Sequence, residues 1–317
     1  MSLPPILQGR LRIPVVGAPM FVVSQPELVV AQCTAGIVGA FPALNARPPE
    51  LLDVWLTQIG AELAAWDAAH PDRPAAPLAV NQIVHKSNDR LAHDLELCVK
   101  HRVPIVITSL GAREDVNQAV HSYGGIVLHD VINVVHAKKA IDKGADGLIA
   151  VCAGAGGHAG ALSPFALVAE IRAWWDGPLL LSGAIANGRS VLAAQALGAD
   201  LAYIGSAFIA TSEAQASERY KAAIVEASAA DIVYTNLFTG VLGNYLKSSI
   251  ISAGLDPDNL PTSDASKMNF ASASTKAWRD IWGCGQGIGG IHAVTPVAAL
   301  VDRFAAEYAA ARQSLTL

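Results

Sequence analysis

Short apolar runs alternate along the chain with segments of helical character. The runs predict eight strands, near Val15–Ala18, Gly36–Ala40, Leu78–Asn81, Ile105–Thr108, Gly125–His129, Gly147–Val151, Leu179–Ser182 and Leu201–Ile204. Strands that alternate with helices pair in parallel, and strands buried on both faces read as continuous apolar runs. The pattern therefore predicts an α/β protein with a parallel sheet.

Two junctions use the same device to end a helix and begin a strand. In each, a glycine (Gly144 or Gly198) is expected just past the end of a helix, and the next strand starts two or three residues later. Eight such strands within roughly 200 residues favour closure into a TIM (β/α)₈ barrel. A doubly wound open sheet is the alternative.

The pattern changes after the eighth strand. Residues 211–285 carry helical stretches and polar loops with no clear strand, which predicts a helical appendage covering the barrel mouth on the substrate side. The barrel then comprises residues 1–210 and 286–317, and its closing helix starts at Thr295–Pro296. Another long amphipathic helix is expected between the second and third strands.

Composition narrows the class of function. The 317 residues are 52% hydrophobic and carry a net charge of −5, which argues against nucleic acid or an anionic membrane as the main partner. The chain contains no uncharged apolar run of about 18 residues and no cationic signal-peptide start. Its four cysteines lack metal-ligand spacing. These features favour a cytoplasmic protein with free thiols, no metal site and a small-molecule substrate.

A glycine-rich segment, VCAGAGGHAG at 151–160, follows the predicted sixth strand. It fits the loose dinucleotide pattern G-x-G-x-x-G/A. However, the next helix signal comes only at Ser163–Pro164, and the later acids Glu170 and Asp176 do not stand at a strand end. A Rossmann site is therefore rejected, and no P-loop motif is present.

In a barrel, phosphate is often bound by the loops after the seventh and eighth strands. Here those loops contain Gly183–Ala184 and Gly205–Ser206, and Gly156–Gly157 follow the sixth strand. Three consecutive strand ends with small residues favour a single phosphate site. The alternative is that these glycines only make tight turns.

Several motifs, taken in order, resemble the FMN-dependent nitronate monooxygenases, formerly called 2-nitropropane dioxygenases. They are A-P-M at 18–20, the Asn of PLAVNQ, A-G-G-H at 155–158, S-G-A-I at 182–185, I-G-S-A-F at 204–208 and GCGQGIGGI at 283–291. The resemblance implies a flavoprotein that converts alkyl nitronates with O₂ into carbonyl compounds and nitrite.

The resemblance also implies the cofactor contacts. The flavin ring would lie near Ala18, Pro19 and Met20, with Asn81 and Gln286 as further flavin-side contacts. The phosphate would sit on Gly156, Gly157, Gly183, Ala184, Gly205 and Ser206. His129, beside Asp130 at the end of the fifth strand, is a further cofactor-side candidate facing the mouth, and a packed histidine is the alternative.

Two residues are the catalytic candidates. His158 follows the glycine loop, where an imidazole can act as acid, base or oxyanion donor, or merely support the loop. Ser109 stands where the best-known members of the family have a catalytic histidine after the fourth strand. A serine does not readily accept a proton at neutral pH without a partner base.

The Ser109 departure keeps other functions open. One is an NAD(P)H-dependent FMN reductase acting on quinones or enoyl thioesters, with NAD(P)H as a partner. Another is a non-redox phosphate-binding barrel, an isomerase or synthase. The sequence is also compatible with a homodimer.

Overall fold

Eight parallel strands form the central sheet of the computed structural model, which describes residues 3–263 and 280–315. The strands are β1 (Val15–Gly17), β2 (Gly39–Pro42), β3 (Leu78–Ile83), β4 (Ile105–Ser109), β5 (Ile126–Val131), β6 (Gly147–Val151), β8 (Leu179–Ser182) and β9 (Leu201–Ile204), in the order β1-β9-β8-β6-β5-β4-β3-β2. The two-residue β7 (Gly157–His158) lies outside this sheet. A parallel bridge between Val16 and Val38 joins the two edges. The predicted TIM barrel is confirmed.

Helices surround the barrel. They are α1 (Pro26–Ala35), α2 (Leu51–Ala69), α3 (Leu91–Lys100), α4 (Glu114–His121), α5 (Val134–Asp142), α6 (Pro164–Arg172), α7 (Gly188–Ala196), the short α8 (Ser206–Ile209), α9 (Glu218–Glu226), α10 (Lys247–Ser252) and a C-terminal helix (Val297–Leu315). The long helix expected between the second and third strands is α2. Among the described residues, no helix is long and apolar enough to cross a membrane.

Successive side chains on each strand point alternately into the barrel and towards the helices, so the buried residues form two hydrophobic cores. One core fills the barrel, with Val16, Ala79, Ile107 and Leu180 among its members, and the larger core lies between strands and helices. All four cysteines are buried free thiols.

Most predicted boundaries agree with the structure. Gly144 and Gly198 follow α5 and α7 with φ of +91° and +109°, a conformation that glycine adopts without steric cost. The second strand is predicted too early, because Gly36 ends α1 with φ +91° and β2 begins only at Gly39.

The prediction that residues 211–285 lack strands is wrong. Two short strands, β10 (Ile232–Thr235) and β11 (Gly243–Leu246), pair antiparallel, and β11 also pairs with β7 from the glycine loop. This sheet could not be predicted from the sequence, because its strands are short and one of them, β7, belongs to a loop that is distant in the chain. The sheet joins the appendage to the barrel mouth.

The C-terminal helix packs closely on α7. A Cβ at Gly188 would lie 2.1 Å from the carbonyl oxygen of Phe304 and 2.4 Å from the backbone nitrogen of Tyr308. We expect Gly188→Ala to lower the free energy of unfolding by about 1–3 kcal/mol, because the helices must separate. Urea denaturation measures this change.

A second helical glycine provides the control for this substitution. A Cβ at Gly60 in α2 would meet no heavy atom within 4 Å outside its own helix backbone, so Gly60→Ala should raise stability by about 0.5–1 kcal/mol. Equal stability of Gly188→Ala and wild type would contradict the described helix packing.

Candidate functional site

A line of polar side chains caps the barrel interior at the carboxyl ends of three neighbouring strands. Asn81, Ser109 and Asp130 lie on the inward-facing rows of β3, β4 and β5, and Ser109 and Asp130 are the last inward-facing residues of their strands. Asn81 Nδ2 donates to Ser109 Oγ over 2.8 Å, and Ser109 Oγ donates to Asp130 Oδ2 over 2.5 Å. In barrels of this type, active sites lie at this end.

The second carboxylate oxygen of Asp130 has no described partner. Oδ1 is buried without a hydrogen bond among the described residues, although the residue as a whole is partly exposed. Burial raises the pKa of Asp130 to about 6, an effect opposed by the hydrogen bond from Ser109. Burial, with the charge of Asp130, also raises the pKa of Tyr203 well above its ordinary value.

The prediction that His129 faces the mouth is wrong. His129 precedes Asp130 on β5 and therefore points to the opposite side of the sheet, towards the helices. Its Nδ1 lies 2.6 Å from Thr108 Oγ1, a hydrogen bond beneath the helical layer. Burial, together with nearby His136, lowers the pKa of His129 to about 4.

The loops after β6 and β8 meet at Gly154. The Gly154 carbonyl accepts hydrogen bonds from Ala184 N (3.2 Å) and Gln286 N (2.9 Å). A Cβ at Gly154 would lie 3.2 Å from the Ala184 Cβ and 3.1 Å from Gln286 Oε1. The structure therefore brings together two regions that the sequence proposed for FMN.

The loops after β1 and β9 are also neighbours. Ala18 N donates to Ile204 O over 2.8 Å. A Cβ at Gly205 would lie 3.5 Å from both the Ala18 Cβ and the Met20 Sδ. Pro19 lies between these contacts in the chain, so the whole A-P-M turn borders the loop of Gly205.

A late segment, Gly285–Gly287, links these loops. Gly285 N donates to Ser206 Oγ over 2.8 Å, and a Cβ at Gly287 would lie 2.8 Å from the Ala184 carbonyl. Because the segment contacts the loops after β6, β8 and β9, it holds three strand ends together.

Gly156 and Gly157 contact the appendage and the late segment. Gly156 packs against Gly285, and Gly157 pairs with Asn244 in the three-stranded sheet. The buried Asn244 Nδ2 donates to Ala155 O over 2.6 Å. A phosphate role for Gly156 and Gly157 stays a prediction.

The loops after β8 and β9 have backbone N–H donors that are still available. Within residues 3–263 and 280–315, the N–H groups of Gly183, Gly205 and Ser206 donate to no protein acceptor. Gly183 adopts φ +148° and Ala184 φ +54°. These positive φ angles change the direction of the backbone after β8. Small side chains and open N–H groups suit an anionic oxygen.

His158 lies in β7 beside the appendage. Its Nε2 is 2.9 Å from the hydroxyl oxygen of Thr239. Burial lowers the pKa of His158 to about 4, so the imidazole is neutral at pH 7. A neutral imidazole can accept a proton or donate a hydrogen bond.

Three site features escaped sequence reasoning. Gly154, not Gly156 or Gly157, forms the junction with the loop after β8. Gly285 stood out only as part of a motif, and the Ser109–Asp130 hydrogen bond was not predicted. The alternation of side chains along β4 and β5 could have predicted this hydrogen bond, since Ser109 and Asp130 are the last inward-facing residues of two neighbouring strands.

Comparison with known proteins places these features in context. The family model described as nitronate monooxygenase matches residues 7–306. Nitronate monooxygenase of Paraburkholderia phytofirmans is 27% identical over 278 residues, covering 77% of this chain and 76% of the relative. A probable nitronate monooxygenase of Bacillus subtilis is 27% identical over 258 residues, covering 72% and 74%.

Two solved structures share the fold. Nitroalkane oxidase of Streptomyces ansochromogenes has a TM-score of 0.81 at 23% identity, covering 98% of this chain and 100% of the other. FabK of Thermotoga maritima has a TM-score of 0.80 at 24% identity, covering 98% and 96%.

Proposed function

We propose, because the chain belongs to the nitronate monooxygenase family, that this oxidoreductase binds FMN at the barrel mouth and oxidises alkyl nitronates. The products would be a carbonyl compound and nitrite, with O₂ as the oxidant. The observation that supports this most directly is the convergence of the loops after β1, β6, β8 and β9 with the Gly285–Gly287 segment.

The residues present fit the phosphate and ring of FMN. The open N–H groups of Gly183, Gly205 and Ser206 suit the phosphate oxygens. The A-P-M turn and Gln286 border the same loops and would contact the ring, while Asn81 supplies an amide in the barrel interior beside Ser109. Gly156, Gly157 and Ala184 would complete the phosphate loop.

FMN, when bound, supplies the electron transfer and the reaction with O₂, which amino-acid side chains do not provide. His158 would orient the nitronate through its neutral imidazole and hold a proton at Nε2 or Nδ1. Residues 211–263, within the described part of the appendage, would act as the substrate-side cover, since β11 ties them to the loop of His158.

Ser109 favours a second candidate, an NAD(P)H-dependent FMN reductase, because no histidine stands at that position. Anaerobic mixing of the FMN-loaded protein with each donor separates the two. Rapid loss of the visible flavin absorbance with an alkyl nitronate alone is expected. Rapid loss with NADH or NADPH alone would identify the reductase instead, and failure to bind FMN would overturn both.

A further inference from the structure

Ser109 and Asp130 are connected in a way that the proposed nitronate oxidation does not use. Asn81 fills one acceptor site of Ser109 Oγ, and the serine hydroxyl donates to Asp130 Oδ2. With these two bonds in place, the oxygen of Ser109 keeps one further lone pair. The serine thus has the partner base that it needs in order to accept a proton.

We propose that Ser109 and Asp130 form a proton relay that removes the α-proton of a neutral nitroalkane. This inference rests on the proposed function and names the residues that would convert a neutral nitroalkane into the nitronate that is then oxidised. Ser109 is the residue that contacts the substrate, and Asp130 acts through it.

The step balances without a redox change. The α-C–H bond breaks, and its electron pair forms the C=N bond of the nitronate as negative charge moves to the nitro oxygens. The proton binds Ser109 Oγ, while the original hydroxyl proton passes to Asp130 Oδ2. Asp130 ends protonated, and its later deprotonation to solvent resets the relay.

The surroundings of Asp130 suit a group that changes protonation near neutral pH. Ser109 faces it from β4, and Tyr203 on β9 interacts with its charge. Ile149, its register partner on β6, and Val151 are apolar. The pKa near 6 leaves Asp130 ionised at pH 7 yet basic enough to take a proton.

The test compares two substrates of the FMN-loaded enzyme. Asp130→Asn keeps an acceptor for Ser109 but removes the base. We expect kcat/KM for neutral nitroethane to fall about 100-fold, and kcat/KM for preformed ethyl nitronate to change less than about three-fold. Ser109→Ala should behave likewise, and Ser109→Thr should recover most of the activity. Asp142→Asn, on the exposed side of α5, is the matched control.

A second readout does not depend on oxidation. Anaerobic ¹H NMR in D₂O measures exchange of the α-protons of nitroethane, which the wild type should accelerate and Asp130→Asn should not. The exchange rate should rise with pH through an apparent pKa near 6, the value of Asp130.

Each result is decisive for the relay. Equal losses on both substrates, or no loss on either, would overturn it. A wild type that oxidises nitronate but exchanges no α-proton would overturn the relay and leave the proposed function intact. Exchange without nitronate oxidation would support the relay and overturn the proposed function.

Discussion

His158→Ala is expected to lower kcat for an alkyl nitronate by about 10²–10³-fold in the FMN-loaded enzyme. The imidazole lies in the strand that carries the glycine loop and contacts Thr239 of the appendage. Truncation removes the polar group proposed to orient the substrate, whereas the glycine loops remain. FMN affinity should therefore change little, and steady-state kinetics with a flavin titration measures both quantities.

The pH dependence of activity tests the role of His158 more specifically. Burial lowers the pKa of His158 to about 4 instead of the usual 6.5. If the neutral imidazole is the active form, wild-type activity on preformed nitronate should persist as pH falls through 6.5 and decline only near pH 4. His136→Ala, on the exposed face of α5, should leave the profile unchanged.

An unchanged kcat for His158→Ala would assign this histidine to loop support alone. A fall in flavin affinity that accounts for the whole loss of activity would do the same. Thr239→Val, which removes the hydroxyl that contacts Nε2, should reproduce only part of the loss.

The barrel could be predicted from sequence because its signals are local. Apolar runs marked all eight strands, and glycines after α5 and α7 marked two boundaries. Gly36 misled the prediction of β2, since an apolar run continues through the glycine that ends α1. Continuous hydrophobicity does not distinguish the end of a buried helix from the start of a buried strand.

The candidate site could be predicted less well from the sequence. It depends on the direction of individual side chains and on pairing between segments that are far apart in the chain. His129 and Asp130 are adjacent in sequence, yet one faces the helices and the other the barrel interior. A one-residue step along a strand reverses the side chain, so strand-end position alone did not identify the residue at the mouth. Likewise, β7 pairs with β11 across about 85 residues, a contact no local pattern encodes.

The Gly285–Gly287 segment should decide how tightly FMN binds. A Cβ at Gly285 would lie 2.4 Å from Gly154 O and 2.9 Å from Gly156 N. The backbone of Gly285 has φ −93°, which other residues adopt readily, so the effect of Gly285→Ala is steric. The methyl group must push the segment away from the loop after β6.

We expect Gly285→Ala to weaken FMN binding about 10–100-fold. Overpacking costs about 1–3 kcal/mol, and displacement of Gln286 and Ser206 would impair both the ring and the phosphate contacts. Quenching of FMN fluorescence during titration of the apoprotein gives the Kd.

Gly289→Ala provides the matched control, since its Cβ would meet no heavy atom closer than 3.9 Å. Equal Kd values for Gly285→Ala and Gly289→Ala would place FMN away from this segment. A selective loss in Gly285→Ala, measured while both apoproteins remain folded at the titration temperature, would tie the late glycine segment to the cofactor. The distinction matters because the segment lies more than 120 residues from the glycine loop in sequence, and only folding of the barrel brings the two together.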